Sequence, residues 1–238
     1  MRHVLNFILF MLVLPALQAQ QVHQNPDAEM RNVQGFRSIQ VGDGIELFLS
    51  QGSEEEVAVS ASRDNYRQRL KTDVKDGVLR IYYDRESLSD WTGTAKKLRA
   101  YVSFRSLEKI TATAGSQVHL EGVLRVKDLV IVLHSGAHFR GRLETGSLAL
   151  EAASGAKAEL SGSTGTFQAK AESGARVDAY GIASGKADIR VSSGARVQAT
   201  IEEEMKLYAS SGGAIHYKGK GRISSVETKM GSVVRREE

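Results

Sequence analysis

Ser135-Gly136-Ala137, Ser154-Gly155-Ala156, Ser173-Gly174-Ala175 and Ser193-Gly194-Ala195 are four copies of one tripeptide, and their recurrence decides the fold. Looser copies stand at Ala114-Gly115-Ser116, Ser211-Gly212-Gly213 and Met230-Gly231-Ser232. The central glycines, Gly115, Gly136, Gly155, Gly174, Gly194, Gly212 and Gly231, are spaced by 21, 19, 19, 20, 18 and 19 residues. A fixed period near 20 marks a repeat architecture and outranks any local propensity.

Around each glycine the hydrophobic pattern has period two. Seven, five and three residues before it stand Leu129/Ile131/Leu133, Leu148/Leu150/Ala152, Phe167/Ala169/Ala171, Ala187/Ile189/Val191 and Met205/Leu207/Ala209. One, three and five residues after it stand Ala137/Phe139/Gly141, Ala156/Ala158/Leu160, Ala175/Val177/Ala179 and Ala195/Val197/Ala199. Alternation on both sides of a glycine corner gives two half-buried strands per repeat. Gly122, Gly162, Gly181 and Gly219, with Gly146 and Gly165, mark further bends. The expected fold is all-β: a right-handed parallel β-solenoid with coils of ~19–20 residues, because parallel crossovers are right-handed. Alanine recurs inside because a narrow coil interior has no room for three large side chains. By the same parity count Ser135, Ser154, Ser173, Ser193 and Ser211 point inward, as a buried hydroxyl ladder.

The rest of the chain divides around these repeats. Residues 1–19 read as a cleaved signal peptide: Arg2 and His3, an apolar run over 4–17, then Ala19 before the cut. Residues 20–32 are polar, contain Pro26, and read as a flexible leader. One solenoid domain is expected over 33–234, irregular over 33–109 and regular over 110–234, followed by a charged tail at 235–238 that discourages end-to-end stacking. The 238 residues include no cysteine, which excludes disulfides, thiol nucleophiles and lipidated cysteine. A net charge of +4, from 32 basic and 28 acidic side chains, points to solubility rather than nucleic-acid binding. The expected location is the periphery of a Gram-negative cell: periplasm, outer-membrane surface or cell surface.

In the irregular part, Phe36, Ile39 and Val41, then Ile45, Leu47 and Leu49, flank Gly42-Asp43-Gly44. Val57 and Val59 suggest a further strand, and Asp76-Gly77 a hairpin turn. These elements, followed by repeated Leu-x-Leu-x-x-Ser-Gly-Ala, resemble the family of putative auto-transporter adhesin head GIN domains over residues 33–234. The resemblance implies an exported β-helix-like domain of the bacterial envelope with no established activity. Arg105 stands where members often carry proline before the Leu107-x-x-Ile110 step.

Outward positions align into ladders as the core does. Two residues after the corner come Gln117, His138, Lys157, Arg176 and Arg196, and the last four form a candidate ridge for an anionic ligand such as an acidic glycan. Lys157 has Glu159 nearby, and Arg176 has Asp178. A solvated, self-compensating face is the plainer reading of the same residues. His119, His134 and His138 cluster without a carboxylate or thiol set of recognisable ligand spacing, so no metal or cofactor is expected. Glu151, Glu159, Glu172, Asp178 and Asp188 are the carboxylates available to a carbohydrate-active enzyme. None forms the facing pair that glycoside hydrolysis needs. Trp91, in the turn-rich stretch 84–99, is expected to contact a ligand or cap the first coil. A non-enzymatic binding or structural module is therefore expected, with an enzyme or a self-assembling scaffold as alternatives.

Overall fold

A computed structural model describes residues 27–85 and 96–238. The predicted signal peptide, the first part of the predicted leader and Trp91 lie outside the described residues. The chain forms a β-solenoid of about 7 turns with ~19-residue coils. In chain order the elements are β1 (Glu29–Arg31), β2 (Ser38–Val41), β3 (Glu46–Gln51), β4 (Glu56–Ser60), α1 (Asp64–Arg69), β5 (Leu70–Lys75), β6 (Val78–Tyr83), β7 (Arg99–Phe104) and β8 (Lys109–Ala112). The long strands are β9 (Gln117–Leu133), β10 (His138–Ala152), β11 (Lys157–Ala171), β12 (Arg176–Val191) and β13 (Arg196–Ala209), followed by β14 (Ala214–Lys218), β15 (Arg222–Thr228) and β16 (Val233–Arg236).

Successive long strands pair in parallel one repeat apart, for example Phe139 with Ala158 and Leu148 with Phe167. Pairing shifts register near Arg140/Arg142 and lapses at Gly146/Gly165, which breaks each coil into three runs. The inward residues read from the sequence are buried, and large ones stack on small ones: Phe167 lies between Leu148 and Ala187 in register and is fully buried. That alternation fills a narrow interior at native density. Leu124, Leu143, Ile182 and Ile201, on the run after the first bend, complete the core.

The corners are type I′ turns. Ser135 has φ +53° and Gly136 φ +73°, and the Ala137 N–H donates to the His134 carbonyl at 3.1 Å. Two consecutive residues with positive φ break the parity count, so the serine ladder is not buried. Ser135, Ser154, Ser173, Ser193 and Ser211 all stand exposed on the corner. Their contribution to stacking is the backbone: the Gly136 N–H donates to the Ser154 carbonyl at 3.0 Å, and Gly155 repeats this to Ser173. A buried hydroxyl column does exist, one bend further on. Thr164 and Ser184 are buried, with the half-buried Thr145 in register before them; Thr145 Oγ1 bonds Thr164 Oγ1 at 2.9 Å, and Ser184 Oγ donates to the Thr200 carbonyl at 2.7 Å.

The glycines serve two different ends. At the corner, Gly174 (φ +72°) has no atom within 4 Å of where a Cβ would stand, so only its backbone conformation demands glycine. At the next bend, a Cβ on Gly162 would lie 2.0 Å from the Leu143 carbonyl oxygen of the coil below. There, with φ at +111°, the demand for space is added to the demand of the backbone conformation.

The N-terminal coils do not stack in chain order. β2 pairs in parallel with both β6 and β8, and β3 with both β7 and β9. The β6–β7 coil is therefore outermost, β2–β3 lies beneath it, and β8–β9 comes third. Antiparallel strands cover the outer edges: β5 on β6, and β4 then β1 on β7. Glu29–Arg31 thus belongs to the fold, although its polar sequence reads as leader. It is an edge strand, fixed by Arg31 Nη2 donating to the carbonyls of Arg67 (3.2 Å) and Leu70 (3.4 Å) and by Glu29 bonding Arg67 at 3.0 Å. Helix α1 was not visible in the alternation pattern. Among the described residues no helix is long and apolar enough to cross a membrane.

Candidate functional site

The candidate surface is the outer face of the sheet formed by β7, β3 and the first runs of β9 to β13. Two outward columns run along it. Register places Arg99, Glu46, Gln117, His138, Lys157, Arg176 and Arg196 in one. Tyr101, Phe48, His119, Arg140, Glu159, Asp178 and Gln198 form the other. The columns are side by side because both belong to the outward parity of the same strands.

The face changes character along the axis. At its N-terminal part the charges and rings satisfy one another. Glu46 bonds Arg99 Nε at 2.8 Å, and this hydrogen bond holds the Arg99 guanidinium above its ordinary pKa. Phe48 stacks on Tyr101 and on His119, both with centroids 5.3 Å apart. The ring faces are turned to each other along the axis, which leaves only edges for solvent. In the middle, one carboxylate serves two basic side chains of the coil before it: Glu159 lies 3.3 Å from His138 Nε2 and 3.6 Å from Arg140 Nε.

The next three cations have no such partner. Lys157, Arg176 and Arg196 are exposed, directly in register, and make no ion pair within 4 Å among the described residues. Glu159 is not paired with Lys157, because it is turned to His138 and Arg140. Asp178 is not paired with Arg176: its Oδ1 accepts from the Tyr180 N–H at 3.2 Å. The ridge of four basic positions is thus three free cations, with His138 drawn into the carboxylate beside it. Strand spacing sets those charges ~4.8 Å apart. Stacked like charges are unfavourable, by about 1 kcal/mol per pair even in water.

Two shallow grooves flank this ridge. One, of about 250 Å³, is lined by Lys157, Arg176, Arg196, Glu159, Asp178 and Gln198 with two core residues. The other, of about 560 Å³, opens at the bend where Gly122, Gly141 and Gly181 leave out side chains, and Arg140, Arg142 and His119 line it. Glu159 and Asp178 line both. Glu172 is engaged with Lys170 at 3.3 Å and Asp188 with Arg190 at 3.1 Å, while Glu151 makes no ion pair among the described residues. Among the described residues no three metal-ligating side chains converge, and His119 and His138 stand on separate carboxylates.

The outermost coil carries no Ser-Gly corner. In sequence the stretch that contains Trp91 falls between β6 and β7, and residues 86–95 lie outside the described residues. The described cover over that coil is β1, β4, α1 and β5. The ring stack and the Glu159 bridge escape a sequence reading, because they depend on which coil neighbours which.

A family model for the putative auto-transporter adhesin, head GIN domain, matches residues 35–221. The chain belongs to this family. No curated protein matches it. Among solved structures, it is similar to a putative adhesin from Bacteroides fragilis NCTC 9343, with TM-score 0.80, 17% identity, and coverage of 88% of this chain and 96% of that one. A putative adhesin from Parabacteroides distasonis ATCC 8503 gives TM-score 0.71 at 17% identity, covering 88% and 96%. A putative lipid binding protein from the same organism gives TM-score 0.69 at 14% identity, covering 91% and 98%. At these identities the likeness to the solved structures shows a shared fold.

Proposed function

We propose that this GIN domain is an exported, non-enzymatic binding module of the bacterial envelope whose Lys157, Arg176 and Arg196 hold an anionic polymer, an acidic glycan first among them, along the solenoid axis. The observation that carries this is the unpaired column. A surface shaped by stability alone would pair or disperse three stacked cations, and here the two nearest carboxylates are engaged elsewhere. A rigid ladder of equal charges matches a ligand whose charges also repeat, and binding removes the repulsion within the ladder. The adhesin names carried by structural relatives agree with a binding role. The relative named as lipid binding directs attention to the same chemistry, since an anionic headgroup would meet the same cations.

The test is retention of the mature protein on arrays of acidic and neutral glycans, with anionic vesicles as a parallel arm. Retention on acidic glycans that falls steeply with salt, and is lost in Lys157→Glu/Arg176→Glu/Arg196→Glu, supports the reading. Unchanged retention in that variant removes the ridge. Binding confined to vesicles moves the ligand from polymer to lipid.

A further inference from the structure

The last strands present an open core. β15 has one partner, β13, and β16 has one partner, β14, among the described residues. All seven residues of β15 are exposed. Ile223 and Val226 stack in register on the buried Met205 and Leu207, so they occupy core columns, yet they are 42% and 52% exposed. Met230, at the last corner, adds to the same end at 80%. The charged residues 235–238 run on from β16 and leave β15 uncovered. An edge strand with unpaired backbone and exposed inward hydrophobics is a template for strand pairing.

The order of residues along that strand says what pairs with it. A register shift at Ser224 resets the alternation, so Ile223 and Val226 both face inward while Arg222 and Glu227 both face outward. Laid antiparallel on a second copy of itself, the strand sets Arg222 beside Glu227 of that copy on the outer face. On the inner face Ile223 meets Val226 of that copy. Each contact occurs twice, as a two-fold interface requires. We propose that the C-terminal end of the solenoid is a self-association surface, and that two copies join tail to tail through antiparallel β15 strands. The interface joins the open cores of two solenoids and pairs their free edges. Growth stops at two, because the opposite end is covered by antiparallel β1, β4 and β5.

Sedimentation velocity of the mature chain over a range of concentrations tests this, with thermal melts to confirm that each variant folds. The expected result is a monomer–dimer equilibrium with no larger species. Val226→Lys should abolish the dimer while the melt holds, since the side chain is half exposed in the monomer. Arg222→Glu and Glu227→Arg should each weaken association about tenfold, and the double exchange should restore it. A monomer at every concentration overturns the proposal, as does a dimer indifferent to Val226→Lys. Filaments would overturn the tail-to-tail arrangement, and failure of the double exchange would overturn the antiparallel register.

Discussion

At its N-terminal end the solenoid is closed by strands that run against the coil direction; at its C-terminal end it stops on a strand exposed along its whole length. The residues at the two ends are alike. Val57 and Val59 of β4 are fully buried, whereas Ile223 and Val226 of β15 are about half exposed. What differs is the next strand. A parallel stack passes its open edge from coil to coil, and only a strand of opposite direction, backed by the Glu29–Arg31–Arg67 cluster, ends it here. Coverage is thus a property of the neighbour and not of the residue.

The sharpest way to break this comparison is to place the same charge at both ends. Val57→Asp buries an unpaired carboxylate and should cost more than about 4 kcal/mol, enough to prevent folding, as judged by expression and circular dichroism. Within the coils, Gly162→Ala drives a Cβ into the Leu143 carbonyl and should cost about 3 kcal/mol by urea unfolding. Gly174→Val meets no atom and suffers only the left-handed conformation, at about 2 kcal/mol. Both positions have positive φ, so equal losses would refute the added cost of the clash at Gly162. A third probe is pH. Glu237, hydrogen-bonded to His216 Nδ1, fastens the last strand, and that bond is the main cause of its lowered pKa. A carboxylate with a depressed folded-state pKa gives stability that is complete above its ordinary value of 4.5 and is lost as pH falls through the depressed value. Amide exchange in β16, corrected for intrinsic rates, should therefore quicken in acid while β4 stays protected. Smallest of all, Val226→Asp should change monomer stability by no more than about 0.5 kcal/mol. A large loss there would mean that the C-terminal core is as closed as the N-terminal one.

The regular coils were legible because alternation is local: Leu148, Leu150 and Ala152 face inward whatever happens elsewhere. The serine position failed because parity cannot be counted through two left-handed residues. The hydroxyl column of Thr145, Thr164 and Ser184, buried at its last two members, had a signal of its own, a Thr/Ser-Gly pair in three successive coils. The order of the N-terminal coils was illegible, since Val41 takes Ile81 on one side and Ala112 on the other, and no short-range pattern encodes such pairings. At the ridge, the period placed Lys157, Arg176 and Arg196 in one column. It did not reveal that Glu159 turns to His138 and Arg140, because that depends on rotamers and on the coil before.

The interleaving of β2 and β3 between later strands also gives folding a direction. These two strands follow directly after β1 in synthesis, yet they gain neighbours on both sides only when β8 and β9 arrive. Until then there is no template, and afterwards each new coil has one waiting. Assembly therefore begins as a single cooperative event over the N-terminal half and continues as stepwise addition, the nearest-neighbour regime of repeat proteins. Chains shortened coil by coil from the C-terminus should keep a protease-resistant remainder, and chains shortened from the other side should keep none.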